Sequence, residues 1–143
     1  MHRRKLLLWI GGAALTASCD DSSLKPADDI RQRLVGRWLE ELSSGGDQIR
    51  SIVTLGQNGQ FLELEKISDA SGSTKRQTHA GEWSFDGVNF KRKYTSLNGR
   101  LLSNAQFGYT TYAVNAFAKN EFVGIDNIRA RKARFSRTEA NEP

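Results

Sequence analysis

Three Asx-Gly pairs, Asn58-Gly59, Asp86-Gly87 and Asn98-Gly99, each lie between runs rich in β-branched and aromatic residues. Such pairs are strong hairpin signals, because asparagine, aspartate and glycine tolerate the positive φ that tight turns require. Weaker turn signals fall at 44–47, 71–73 and 119–120. They divide the chain into strand-like segments at 35–42, 49–55, 60–67, 77–85, 88–97, 100–115, 121–128 and 129–137. No helical interlude separates them, so the reading is all-β: an antiparallel up-and-down meander of about eight strands. A meander of that length must protect its edges, and closure into a small barrel removes them.

The turns also set which residues share a face. A two-residue turn at Asp86-Gly87 places Phe85 opposite Val88, Trp83 opposite Phe90, Gly81 opposite Arg92 and His79 opposite Tyr94. A second at Asn98-Gly99 continues that face through Ser103, Ala105, Phe107 and Tyr109. Trp83, Phe85, Val88, Phe90, Phe107 and Tyr109 are therefore expected inside. The Asn58-Gly59 hairpin stays open. A tight turn pairs Leu55 with Leu62 and a looser one pairs Leu55 with Phe61, and the one-residue slip exchanges inside for outside.

The amino-terminal segment has a different grammar. His2-Arg3-Arg4-Lys5 is a positive start, and residues 6–15 are an apolar run broken only by glycines. Ten helical residues reach about 15 Å, half the hydrocarbon thickness of a bilayer, which fits an export signal rather than a spanning helix. Leu15-Thr16-Ala17-Ser18-Cys19 follows, and it resembles the lipobox of bacterial lipoproteins, with the leucine one place earlier than usual. The resemblance implies cleavage before Cys19 and acylation of its thiol and new amino group, palmitate among the chains. Two or three acyl chains hold a protein on a membrane far more firmly than one. Ordinary cleavage near Ala17 or Ser18 is the alternative. Asp20 resembles the enterobacterial signal for retention at the inner membrane, which would favour that membrane in a Gram-negative host. The expected organisation is a signal peptide at 1–18, acylated Cys19 and a polar tether at 19–29, a barrel domain at 30–137 and a frayed tail at 138–143. Asp28 and Asp29 precede Ile30 and Leu34, four apart, which predicts a short helix opening the domain.

The composition narrows the function. At 143 residues the chain holds one modest core. Its single cysteine excludes an intramolecular disulfide. The formal net charge of +5 falls to +2 once Arg3, Arg4 and Lys5 are removed, and nucleic acid is not an expected partner of an exported protein. With the leader gone, His79 is the one histidine, so a His/Cys zinc site is excluded and neither a metal nor a cofactor is expected. There is no G-x-S-x-G elbow, P-loop or G-x-G-x-x-G turn. Glu40 and Glu41 are strand neighbours and point apart, while Glu63 and Glu65 share a face read as a solvated exterior. The chain is not expected to be an enzyme.

Gly36-Arg37-Trp38 opens the first strand, and Arg134 and Arg137 flank Phe135 in the last. This pattern resembles the lipocalin-like (calycin) superfamily, in which an early G-x-W tryptophan packs at the closed end of an eight-stranded barrel. The resemblance implies an arginine lying across the Trp38 ring, Arg137 before Arg134, as a barrel-closing contact. Residues 52–61 and 81–87 resemble hairpins of small bacterial members of the group. It implies binding of a small hydrophobic or anionic ligand, with Trp83, Phe90, Arg92, Tyr94, Phe107 and Tyr109 as the candidate walls. Arg92, inward between Phe90 and Tyr94, must meet either an anionic ligand or an acid of the protein such as Glu82. The second functional expectation is a protein-interaction module of the immunity or inhibitor type, working through its outer surface on an envelope partner. The basic segment 88–137 could instead face anionic lipid headgroups or an acidic partner, while the preferred reading is that outward Lys91 and Lys93 protect the sheet from pairing with other chains. The expected location is the cell envelope, lipid-anchored and facing the periplasm.

Overall fold

A computed structural model describes residues 26–143. The leader, Cys19, Asp20 and most of the tether lie outside the described residues. The chain opens with α1 (Pro26–Leu34) and continues through β1 (Gly36–Ser44), β2 (Asp47–Leu55), β3 (Gln60–Ser68), β4 (Thr74–Phe85), β5 (Asn89–Leu97), a two-residue β6 (Arg100–Leu101), a 3-10 turn (Asn104–Gln106), β7 (Gly108–Asn115), β8 (Glu121–Asp126) and β9 (Arg131–Arg137). Every pairing is antiparallel. β4 pairs with β5, β5 with β7, and β9 returns to β1, so eight strands form a closed up-and-down barrel. Closure gives every long strand a neighbour on both sides, although β4 runs on past β5 before His79 and β7 meets β8 only from Ala113 to Asn115. A barrel of this kind is consistent with the lipocalin-like expectation.

One end is plugged. α1 has proline at its first position, Asp28 and Asp29 in its first turn and Arg31 and Arg33 in its last, in keeping with the helix dipole. It begins four residues before Ile30, so the part of the tether at 26–29 is helical. Leu34 is fully buried, and its carbonyl accepts a hydrogen bond from Trp38 Nε1 at 2.7 Å. Trp38 pairs with Arg137 across the β1–β9 seam, and the guanidinium lies 4.0 Å from the indole centroid. Arg137 also donates to the Val35 carbonyl at 2.8 Å and to that of Arg33, satisfying backbone acceptors that the helix end leaves open. Gly36 makes this possible: its φ is +124°, and a Cβ there would collide with Arg137 Nη1. Arg134 instead pairs with Glu121 at 3.1 Å on the surface.

Two hairpins depart from the sequence reading, in instructive ways. The chain turns at Asp86 through a four-residue loop, because the Asp86 carboxylate accepts from the backbone N–H of Val88 and Asn89. Phe85 therefore meets Phe90, and Trp83 meets Arg92. A shift of two residues preserves the face, so Phe90, Arg92 and Tyr94 still point inward, while Val88 is exposed in the loop rather than buried. The Asn98-Gly99 turn forms as expected, with both residues at positive φ and Leu97 opposite Arg100. The strand expected over 100–115 then breaks: the Ser103 backbone and hydroxyl both donate to the Gln106 side chain, and the chain coils before β7. Tyr94 consequently meets Gly108 where an unbroken hairpin would bring Ser103, a slip of five residues. An odd slip exchanges the faces. Phe107 and Tyr109 leave the interior, and Thr110 and Tyr112 take it. The open hairpin resolves as the looser form, with Leu55 opposite Phe61.

The carboxyl-terminal residues, which form no strand or helix, make contacts to the barrel. Arg37 donates to the carbonyls of Glu139 and Ala140 and to Asn141 Oδ1, and Arg76 pairs with Glu142. The segment crosses the outside of the barrel near Ile52, an outward residue only 3% exposed.

Candidate functional site

The barrel interior is layered. Nearest the plug, Phe122 stacks on Phe135 with centroids 4.3 Å apart, while Trp38, Phe90 and Tyr112 meet this pair edge to face. Trp83 closes the layer, its Nε1 donating to the Gly56 carbonyl at 2.8 Å. This half is filled with side chains, as the interiors of eight-stranded barrels often are.

Above it lies a buried charged layer. Arg92, Glu40 and Glu63 are each at most 3% exposed. Arg92 Nη1 donates to Glu63 Oε2 at 3.0 Å, and Nη2 donates to Glu40 Oε1 at 3.0 Å. Tyr112 donates to Glu40 and Tyr94 to Glu63, with Thr110 donating to the Tyr94 oxygen. Four rings, of Phe61, Phe90, Tyr94 and Tyr112, surround the guanidinium at 5.5–5.9 Å. Two carboxylates share one cation in a dry space. Burial first raises the Glu40 pKa, opposed by Arg92 and reinforced by repulsion from Glu63. Burial opposes the charge on Arg92, but Glu40 and its other neighbours outweigh it and hold the guanidinium charged. Glu40 Oε2, Ser51 Oγ and Arg92 Nε have no hydrogen-bond partner. Arg92 Nη1 does lie 2.9 Å from Glu40 Oε2, but at an angle that makes a close charge pair and no hydrogen bond.

At the open end the interior widens into a shallow recess of about 320 Å³, lined by Glu65, His79, Tyr94, Leu97, Leu102 and Arg129 among others. His79 Nε2 lies 3.3 Å from Glu65 Oε1, and Gln77 donates to the same oxygen at 2.9 Å. The hydrogen bond between them raises the His79 pKa and lowers that of Glu65, so each favours the other's charged form. The His79 ring meets Tyr94 edge to face at 5.3 Å. A larger cleft of about 480 Å³ lies outside the barrel, over β4, β5 and β7, with Lys91, Lys93, Ser84 and Tyr109 on its walls.

Of the candidate walls, Trp83, Phe90, Arg92 and Tyr94 do converge inside. Phe107 does not, and Tyr109 leaves the interior but still lines the recess at the mouth. Phe107 sits under the Lys93 ammonium at 4.7 Å on the outer face, and Tyr109 is 59% exposed. Arg92 is satisfied by Glu40 and Glu63 rather than by Glu82, which reaches Lys93 instead. Glu63 and Glu65 face inward, against the reading of a solvated exterior, because β3 enters its hairpin in the looser register that buries Phe61. The sequence reading missed Glu40, Glu63, Glu65, Thr110 and Tyr112. Glu40 had a usable signal, since it alternates with Trp38 on β1. The β3 carboxylates depended on the unresolved hairpin, and Thr110 and Tyr112 on the break in the strand before them. Among the described residues no group of three or more His, Cys, Asp and Glu side chains is placed to hold a metal ion.

No protein-family model matches the chain, and no curated protein matches it. The arrangement itself must carry the functional reading. A sealed charged layer divides a filled half from an open, mixed-polarity recess.

Proposed function

We propose that this chain is a non-catalytic binding protein, anchored in the cell envelope through acylated Cys19 and facing the periplasm, that takes a small polar ligand at the mouth of its barrel. The recess above Tyr94 is the observation that carries this reading: it is the part of the barrel interior that side chains leave open. Its walls offer an anion at Glu65, a cation at Arg129 and apolar contacts at Leu97 and Leu102, the mixture expected of a site that orients a small polar molecule. Binding deep in the barrel is not supported, since Phe90 and Trp83 are packed and Arg92 already has its anions. A non-catalytic reading is supported by the state of the inward carboxylates Glu40 and Glu63, which are shut away from solvent and tied to Arg92. Native mass spectrometry of residues 20–143 purified from the envelope tests the proposal. An adduct is expected in the wild type and lost in Leu97→Trp, which fills the recess, and in His79→Ala. A clean mass in the presence of envelope extract overturns it. The filled interior also favours a second reading, an immunity- or inhibitor-type module that meets a protein partner through its outer surface.

A further inference from the structure

Five large apolar residues are exposed among those described, and four of them lie around one side of the barrel. Val88, 61% exposed, sits in the loop that begins β5, and Leu101, 87% exposed, follows the turn that ends it. Tyr109, 59% exposed, stands beside Lys93 on the neighbouring β7, and its carbonyl accepts from Arg129, next to Ile128, which is 89% exposed. Lys91 and Lys93 project from β5 between these apolar points, and Arg100 adjoins Leu101. The acids on this side are Asp86 and Glu82, at 2.7 and 3.7 Å from Lys91 and Lys93. Beyond them, residues 87–120 contain no aspartate or glutamate.

The apolar tips are held rigidly. Asn98 bridges to Thr78 through both its backbone and its side chain, fixing the Leu101 hairpin. The buried Asp126 carboxylate accepts from the backbone N–H of Ile128 and Arg129. A loop ordered before contact loses little further entropy on docking. The tether reaches the same side: Ala27, at the start of α1, lies 3.5 Å from the Cβ position of Gly87, next to Val88. Cys19 is seven residues before Pro26, a reach of at most about 25 Å, and β5 itself spans about 30 Å. An acyl anchor on that tether would hold this side, lying flat, at the bilayer surface.

We propose that the outer face of β5 and β7, with the Leu101 and Ile128 tips, rests on an anionic membrane surface. This goes beyond ligand capture at the mouth, with which it shares the anchor and Tyr109 at the rim of the recess. Aliphatic tips enter the headgroup boundary while the neighbouring cations stay among phosphates, each cation near such a surface being worth about fivefold in affinity. Residues 20–143 contain the entire closed barrel and every residue of its core, so they serve as the probe without an acyl chain. Sedimentation with vesicles of equal parts phosphatidylglycerol and phosphatidylcholine is expected to carry the protein down, and sedimentation with phosphatidylcholine alone is not. Binding is expected to weaken with salt. The double variant Leu101→Asp/Ile128→Asp should bind at least about tenfold more weakly, and the charge reversal Arg100→Glu about 25-fold more weakly, with unchanged circular dichroism. Leu62→Asp, at the fifth exposed apolar residue and on β3, should bind as the wild type does. Failure to bind the anionic vesicles overturns the proposal, as does binding that the tip variants leave intact or that Leu62→Asp weakens equally. Loss of the mouth adduct with vesicle binding retained overturns only ligand capture.

Discussion

The two halves of the barrel solve the same packing problem with opposite materials. Near the plug, Trp38, Phe90 and Tyr112 interlock around the Phe122–Phe135 stack, with Trp38 Nε1 reaching a backbone carbonyl and the Tyr112 hydroxyl reaching across to Glu40. Toward the mouth, Glu40, Glu63 and Arg92 occupy equivalent inward positions and depend on one another for every charge they bury. Apolar packing is additive and tolerant of small errors. A buried charged layer is conditional, because each member is stabilising only while its partners stay in place.

The sharpest way to break this contrast is to remove one member from each half. Arg92→Met should cost about 3–5 kcal/mol, since it leaves two buried carboxyl groups without a cation. Phe135→Ala should cost a similar amount, about 3–5 kcal/mol, through the cavity it opens. Urea unfolding followed by tryptophan fluorescence measures both. They part company on rescue. Adding Glu63→Leu and Glu40→Leu to Arg92→Met should recover most of the loss, because an apolar replacement of a whole buried ion cluster is often neutral or stabilising. No polar change can refill the Phe135 cavity.

Smaller effects refine the boundary. Arg137→Ala should cost about 1–3 kcal/mol by removing the stack on Trp38 and the hydrogen bonds to the end of α1, and it should shift the Trp38 emission. Glu40→Gln should cost less than Arg137→Ala, because burial already works against the Glu40 charge and the amide oxygen still accepts from Arg92 and Tyr112. The smallest effect is at the mouth and depends on pH. His79 holds its proton more tightly in the folded chain, so its contribution is complete below pH 6.5 and is lost as pH rises through the folded pKa. Glu65 behaves oppositely: its contribution is complete above pH 4.5 and is lost as pH falls through the folded value. Their mutual support is therefore greatest between pH 4.5 and 6.5. An NMR titration of the His79 ring should show a raised midpoint that returns toward normal in Glu65→Gln.

The plug half was far more legible in the sequence than the mouth. Gly36 and Trp38 carry a local pattern, Arg137 follows from the family resemblance, and the Asp86 turn missed its register by two residues, an even number that kept Phe90, Arg92 and Tyr94 inside and moved only Val88 out into the loop. The mouth hinged on odd slips. Phe107 and Tyr109 were placed inside because the side-chain bonds of Ser103 to Gln106, which coil the chain before β7, have no periodic signature. Glu63 was placed outside because the Asn58-Gly59 hairpin admits two registers. Alternation along a strand reports which residues share a face but not which face is inside, and a carboxylate next to phenylalanine reads as solvent until its partner arginine, about thirty positions away, is known to face it.

The seam between β1 and β9 has a consequence for how the chain can be made. Val35 and Arg137, bonded at the plug, are 102 positions apart, so the first strand waits for the last before its outer edge is covered. Loop closure over such a distance is slow, and it sets high contact order for the whole barrel. Until residues 131–137 arrive, a nascent or truncated chain presents an unpaired β1 edge beside an uncovered Trp38. Chains ending short of Arg131 should therefore associate with one another through that edge rather than persist as smaller soluble barrels.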